Sequence, residues 1–494
     1  MLIKKDEFDI VIIGAGPGGY HSALRATQSG ARVAIIEKNE IGGSCTSIGC
    51  IPIQCFDTSI KQFDDIKKKS FFFGASISGD IHLDFKAVVA RKNKVVRELI
   101  ARIEALMNLA KVRIFRGVGK VISGNAEAGF LVACTDQAGT STELIGKRII
   151  IATGSVPSTI PVFNIDHERI ITSDDLLKAS FTSLPKSMII IGGGVIGCEC
   201  ANIFSRFGVD ITIIEFLESI LPVEDEEVAE VMKKEFEALG IKVHTNNLLH
   251  RIEKNLDSIK VITIPAPFRD SDMKLDAYNE FEAEMCLISI GRVRQSTGIG
   301  LEALGMQIGN DRIIVDTNTC ETTVKGIYAV GDVTNSLLLA QLAFHDGDVA
   351  TANALASLGK FNIKPRPREH FVVPYTIYTN PTIASVGLRE FDAKKIYKVK
   401  TGKYFYNKLE QARCLGEEKG FLKIVVNQEN DKILGATCIG YAAAEIIAEV
   451  SVAMYHDLTA KQLVEVVHSH PTISELVIKA VDGVVEWKSK KQAT

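Results

Sequence analysis

Two stretches of the chain carry the same hydrophobic rhythm. "FDIVIIGAGPGGYHSALRATQSGARVAIIEK" begins at Phe8 and "SMIIIGGGVIGCECANIFSRFGVDITIIEF" begins at Ser187. Each opens with an almost unbroken apolar run, the pattern of a strand covered on both faces. A glycine-rich turn follows, then a helix of small residues, a glycine, and a second apolar strand ending in Glu. Further apolar runs, "KRIIIATGSVP" and "GIYAVGDVT", read as buried strands that end in glycine-containing turns. Residues 58–110 are predicted to be mostly helical, on the three-to-four spacing of "VVARKNKVVRELIARIEALMNLA". "KPRPREH", at 364–370, is a proline- and charge-rich break. Beyond it, "FLKIVVN", "KILGATCIG" and "AAEIIAEVSVAMYHDLT" predict a sheet with helices.

These patterns predict an α/β protein with two Rossmann-like dinucleotide-binding domains and an α+β C-terminal domain. Its divisions are expected at 1–158, 159–289, 290–365 and 366–494. The length of 494 residues suits such a multidomain chain. With 46% hydrophobic residues, 24% charged residues and a net charge of −3, the composition gives no reason to expect nucleic acid or an anionic membrane as partner. No uncharged apolar run reaches the ~18 residues of a spanning helix. The N-terminal apolar run leads into a glycine loop, so it reads as a strand and not a signal peptide. A cytoplasmic enzyme is the expectation, with an organelle matrix as the other compartment.

The glycine turns supply the first chemistry. Gly14, Gly16 and Gly19 form one G-x-G-x-x-G; Gly192, Gly194 and Gly197 form another at a constant offset. In such a turn the first glycine makes the bend and the second lets backbone approach a pyrophosphate. The third lets helix pack on strand, and the phosphates sit at a helix N-terminus. Glu37 and Glu215 close the two second strands, where a carboxylate accepts from ribose hydroxyls. A carboxylate at Glu215, with no arginine close behind in "EFLESILP", repels a 2′-phosphate and favours NAD over NADP.

The second chemistry is in "GGSCTSIGCIPIQCF". Of the ten cysteines only Cys45, Cys50 and Cys55 cluster. A redox pair, a metal site and buried thiols all have to be weighed. A pair spaced as Cys45 and Cys50 at a helix start can close a small disulfide, and a helix N-terminus favours a thiolate. A metal site needs further Cys or His ligands, and none lies nearby in sequence, so no metal is expected. Cys55 reads as a packing residue, and the scattered thiols as small buried apolar groups.

Taken together, the two nucleotide motifs, the glycine-flanked C-x-x-x-x-C, "ATGSVP", "YAVGDV" and "HSHPTISE" resemble the pyridine nucleotide–disulfide oxidoreductases nearly end to end. The resemblance implies an FAD domain, an NAD domain, a central domain and an interface domain, joined as a homodimer. It implies that Cys45 meets substrate and that Cys50 lies under the flavin. It makes His470 the catalytic base, oriented by Glu475, facing the cysteines of the other subunit. It gives Asp332 the flavin's ribityl chain and places Gly154 and Gly291 in the cofactor turns. His468 reads as structural, and His345 and His370 as surface or packing residues. The implied activity is oxidation of a protein-borne dihydrolipoyl group, or another small dithiol, with NAD+ as acceptor. Glutathione reductase would want arginines near Glu215. Mercuric reductase would want a vicinal cysteine pair near the C-terminus, where the last cysteine is Cys438. A soluble transhydrogenase would lack one redox cysteine.

The chain departs from that pattern in three places. Ser47 stands where asparagine is usual, and Gln341 where histidine is frequent. Most consequential, Gln54 stands where the family places a lysine beside the flavin, paired with a glutamate that corresponds to Glu199. Loss of that charge predicts a lower flavin potential, weaker thiolate-to-flavin charge transfer and slower turnover. It leaves Glu199 as a buried lone carboxylate that takes up a proton, with Gln54 as a hydrogen-bond partner. Two other readings follow from the departures. One is a related disulfide reductase, or a dehydrogenase of an unusual lipoyl carrier, with altered flavin tuning. The other is a non-catalytic redox-sensing flavoprotein subunit.

Overall fold

The computed structural model describes residues 6–266, 278–334, 337–368 and 372–485. His370 lies outside the described residues.

Why the first apolar run is unbroken becomes clear in the first sheet. Strand β1 (Asp6–Ile13) sits between β2 (Val33–Glu37) and β6 (Ser141–Ile151), parallel to both, with Ile13 opposite Ile36 and Ile151. Strand β3 (Arg113–Arg116) adds beyond β2. The first half of β6 pairs antiparallel with β5 (Gly129–Thr135), which pairs with β4 (Val118–Asn125). The second half of β6 pairs in parallel with β19 (Ile327–Ala329). On one face Ile10, Ile12 and Ile35 pack with residues of helices α1 (Pro17–Gln28), α4 (Phe85–Leu109) and α8 (Ala340–Ser357). On the other, Val11, Ile13 and Ile36 pack with Val121, Phe130 and Val132 of the antiparallel ribbon. Both faces are covered, so neither can be polar.

The second sheet is wholly parallel. Its order is β11 (Lys242–His244), β10 (Asp210–Ile214), β9 (Ser187–Ile191), β15 (Met285–Ile288) and β8 (Ile170–Thr172). Helices α5 (Ser173–Leu177), α6 (Val195–Arg206) and α7 (Glu226–Ala238) belong to this unit. A three-stranded meander, β12 (Asn247–Lys254), β13 (Ile259–Pro265) and β14 (Asn279–Ala283), flanks it. Strands β7 (Ser155–Pro157) and β16 (Arg292–Arg294) pair antiparallel and tie the exits of the two sheets together. The short strands β17 (Ile308–Gly309) and β18 (Arg312–Ile313) form a ribbon of their own.

The C-terminal sheet is antiparallel, in the order β20 (Tyr375–Ile377), β21 (Ile383–Gly387), β24 (Ile433–Ile439), β23 (Phe421–Asn427) and β22 (Val399–Phe405). Helices Ala443–Tyr455 and Glu475–Asp482 pack on it. Lys423 on β23 is buried, and its ammonium pairs with Asp225, with Glu227 (2.7 Å) at the start of α7 and with Glu390 (3.1 Å). The three carboxylates converge within 4.8 Å, the spacing of a cation site, and the lysine occupies it. Burial alone would depress the Lys423 pKa; the carboxylates outweigh it and raise the pKa.

The expectation that 58–110 is mostly helical holds, with one interruption. Helix α3 (Cys50–Asp64) runs into a π-turn at Asp65–Lys69, and no helix spans 75–84. Gly74 (φ +77°) and Gly79 (φ +91°) hold left-handed conformations that a helix does not admit. Asp84 then starts α4, its carboxylate accepting from Lys86 N–H and Ala87 N–H. The "KPRPREH" break carries neither helix nor strand over 362–368. Among the described residues no helix is long and apolar enough to cross a membrane.

Candidate functional site: a thiol pair between two nucleotide turns

The two glycine turns superimpose in their physics. Gly14 has φ +101° and Gly192 has φ +105°. A Cβ on Gly14 would sit 2.3 Å from Ala152 O, and one on Gly192 2.6 Å from Ser289 O, each at the end of the neighbouring strand. On Gly19 and Gly197 a Cβ would lie 1.9 and 2.0 Å from the carbonyls of Gly14 and Gly192. Gly16 and Gly194 are the N-caps of α1 and α6. Both turns therefore leave a bare backbone cradle at a helix N-terminus, which fits a pyrophosphate. Glu37 and Glu215 are also matched. Ala15 N–H (2.6 Å) and Asn39 N–H (2.7 Å) donate to Glu37; Gly193 N–H (2.5 Å) and Leu217 N–H (2.8 Å) donate to Glu215. Each carboxylate thus ties its strand end to its turn and is held rigid beside it. Gly154 (φ +70°) and Gly291 (φ +119°) lie two residues past Ala152 and Ser289, with open space where a side chain would be.

Between these cradles lie the cysteines. Cys45 is on the short helix α2 (Gly43–Ser47), and Cys50 is the first residue of α3. The two thiols interact directly. Cys45 donates to Cys50, which raises the Cys45 pKa, and burial raises it further. The same bond lowers the Cys50 pKa. Within the pair the proton is held more firmly on Cys45 than on Cys50. Cys55 is buried one turn on, with its pKa raised by burial, as a packing residue should be.

A polar relay that sequence reasoning missed runs beside the pair. Ser155 Oγ donates to Asp332 Oδ2 (2.6 Å), and Arg292 Nε donates to Ser155 Oγ (2.8 Å). Arg292 also holds Ser155 O (2.9 Å) and pairs with Asp174 (3.4 Å). The Asp332 charge disfavours both thiolates, while Arg292 favours that of Cys50. Arg292 directly follows Gly291 in "SIGR", the one sequence signal that could have flagged it.

Gln54 is one helical turn past Cys50. Its Nε2 is buried and makes no hydrogen bond, so the expected amide bond to Glu199 does not form. Glu199, on α6, accepts from Tyr378 N–H (2.9 Å). Its pKa is pushed up to about 8, chiefly by burial, with the charges of Cys50 and Asp57 adding to the rise. The lone carboxylate holds its proton, as the missing lysine predicts.

His470 and Glu475 form a compact couple. His470 Nδ1 bonds Glu475 Oε1 (2.9 Å), and Thr472 N–H donates to Glu475 Oε2 (3.0 Å). Burial tends to raise the Glu475 pKa, but these two bonds outweigh it and lower it. The His470 side chain is 65% exposed and makes no bond to Cys45 or Cys50 within the chain. Val452, Tyr455 and Val467 of the same C-terminal unit are also exposed. His468 is buried instead, bonded to Glu449 Oε1 (2.7 Å) and Val466 O (3.0 Å), in keeping with a structural role. His345 is partly exposed, 3.7 Å from Asp346. Ser47 Oγ turns back to Gly43 O (2.9 Å), and Gln341 Nε2 donates to Pro374 O (2.6 Å).

Comparison with known proteins agrees along the whole chain. Residues 373–481 match the pyridine nucleotide-disulphide oxidoreductase dimerisation domain, in accord with a homodimer. Dihydrolipoyl dehydrogenase of Bacillus subtilis is 35% identical over 96% of this chain and 97% of its own. That of Chlorobaculum parvum is 34% identical over 98% of each. The crystal structure of LpdA from Mycobacterium tuberculosis superimposes with a TM-score of 0.86 at 25% identity, covering 97% of this chain and all of that one. With residues 8–347 matching its nucleotide-binding part, the chain belongs to the pyridine nucleotide-disulphide oxidoreductase family.

Proposed function

We propose that the protein is a dihydrolipoyl dehydrogenase, which oxidises a carrier-bound dihydrolipoyl dithiol with NAD+ through Cys45 and Cys50. The observation that carries the reading is the thiol pair itself: Cys45 and Cys50 interact directly at the start of α3, and their contact raises the Cys45 pKa and lowers that of Cys50. Gly14, Gly16, Gly19, Glu37, Gly154, Asp332 and Gln54 would hold FAD. Gly192, Gly194, Gly197, Glu199, Glu215 and Gly291 would hold NAD. The bare cradles at Gly14 and Gly192 fit both groups. When bound, FAD supplies the two-electron link between the dithiol pair and NAD+.

The chain's own groups divide the remaining work. With the Cys45–Cys50 disulfide formed, a substrate thiolate attacks Cys45 Sγ, and Cys50 leaves as the thiolate its helix N-terminus favours. The second substrate thiol closes the substrate disulfide and releases Cys45. Glu475 holds the Nδ1 side of His470, so Nε2 is the face that takes the substrate proton. Within one chain His470 stands open, bonded to Glu475 and not to the cysteines. We place it against the cysteines of a second subunit. The scattered thiols suit a reducing compartment, the cytoplasm or an organelle matrix.

The test is direct. Purified, flavin-loaded protein is given dihydrolipoamide and NAD+, and NADH is followed. NADH formation that needs Cys45, Cys50 and His470 supports the reading. Full flavin content with no turnover would overturn it.

A further inference from the structure

The interface of α3 and α6 holds more polar groups than it satisfies. Cys50, Gln54, Asp57, Lys61 and Asp64 fall on one stripe of α3, at helical spacing. Glu199, Asn202 and Arg206 fall on one stripe of α6. The helices are in contact, and the two stripes meet: the charges of Cys50 and Asp57 act on Glu199, and that of Arg206 acts on Asp57. At the outer end Arg206 pairs with Asp64.

Along this seam Gln54 Nε2, Asp57 Oδ1, Asn202 Nδ2, Asn202 Oδ1 and Arg206 Nε are buried with no protein partner. Asn202 is fully buried and Asp57 is 3% exposed. Flipping the Asn202 amide changes nothing, because both its ends are bare. Buried polar atoms are satisfied by protein or by water, and a buried water typically joins about three such groups. Five bare atoms at consecutive helical turns therefore call for water in a row.

We propose that the α3–α6 seam holds a file of ordered water through which protons pass between Cys50 and the surface beside Lys61. Glu199 is the inner relay. It faces Cys50 and Asp57 of α3, Cys198 and Cys200 of its own helix, and Tyr378 from the strand side. Asp57 is the middle relay, paired with Lys61 (2.8 Å) and facing Arg206. Lys61 reaches the surface and donates to Thr382 Oγ1 (2.9 Å). The step moves a proton and no electrons: the Glu199 carboxylic acid gives its proton to the Cys50 thiolate and becomes a carboxylate, which takes a replacement proton from the file, and the reverse sequence returns the proton to the surface. The seam serves the face of the thiol pair that His470 does not. The inference rests on the assignment of Cys45 and Cys50 as the redox pair.

Two measurements test it. A high-resolution crystal structure of the flavin-loaded protein should show ordered waters bridging Gln54 Nε2, Asp57 Oδ1 and both ends of Asn202. A dry seam with these side chains paired to one another would overturn it. In solution, proton exchange with the medium during a single reduction by dithiothreitol is followed with an indicator dye in wild type, Asp57→Asn and Asn202→Leu. Both variants should slow the phase of proton uptake about tenfold or more at unchanged flavin content. Uptake at the wild-type rate in both would overturn the file. Failure of dithiothreitol to reduce even the wild type would count instead against the redox pair, and the crystal waters would still decide the seam.

Discussion

Substituting Glu199→Gln should make the protein resist alkaline pH better than wild type. The carboxyl has an ordinary value of 4.5 and is pushed up to about 8, first by burial and then by Cys50 and Asp57. At 1.36 kcal/mol per pK unit, forcing its ionisation costs about 5 kcal/mol. The sign follows from proton counting. Between these two values the unfolded chain has released the proton and the folded chain has kept it. The folded state binds more protons, so stability falls as pH rises through that window and levels off above it. A glutamine keeps an oxygen to accept from Tyr378 N–H but has no proton to lose. Wild type and variant should therefore be close at about pH 5, with the variant ahead by several degrees in Tm at about pH 9. Scanning calorimetry on flavin-loaded protein at both pH values is the assay. If the two proteins lose Tm in parallel between these values, Glu199 is not the buried acid described above.

Other substitutions separate the site's parts. Gly14→Ala forces a Cβ to 2.3 Å from Ala152 O and should abolish flavin retention, read from the absorbance of the purified protein. Gly192→Ala meets the equivalent carbonyl of Ser289 and should weaken NAD binding, by calorimetric titration, while flavin content stays full. His470→Ala should lower dihydrolipoamide turnover by about 10²–10⁴-fold with little change in flavin content. Gln54→Lys brings an ammonium toward Glu199, so the infrared band of a protonated carboxyl should weaken or vanish at neutral pH. Lys423→Met leaves Asp225, Glu227 and Glu390 facing one another and should cost about 3–5 kcal/mol, read from denaturant unfolding.

What the residues disclosed follows from how local each feature is. The nucleotide turns were legible because their glycines answer to contacts within a single strand–turn–helix unit: Gly19 meets Gly14, and Gly197 meets Gly192. The His470–Glu475 couple is five residues long and equally local. Glu199 was recognised as lone because a resemblance supplied the partner it lacks. The relay from Asp174 through Arg292 and Ser155 to Asp332 was not legible, since it depends on β7 meeting β16 across more than a hundred intervening residues. The seam was hidden for a related reason. Periodicity shows that Gln54, Asp57 and Lys61 share a stripe of α3, but not that the stripe faces Asn202 of a helix in the other nucleotide unit. The break at 75–84 inside the mostly helical stretch was not marked in advance, because helical spacing on either side of Gly74 and Gly79 masked the two glycines.

The open position of His470 also has a genetic consequence. If each site borrows its histidine from the neighbour, two dead proteins can make a live one. A Cys45→Ser subunit still offers a histidine, and a His470→Ala subunit still offers both thiols. Random pairing of the two in a symmetric dimer makes half the dimers mixed, each with one whole site, so about a quarter of all sites should work. Neither parent alone would show activity. Complementation of this kind would make the unit of inheritance for this activity the pair of subunits, not the single chain.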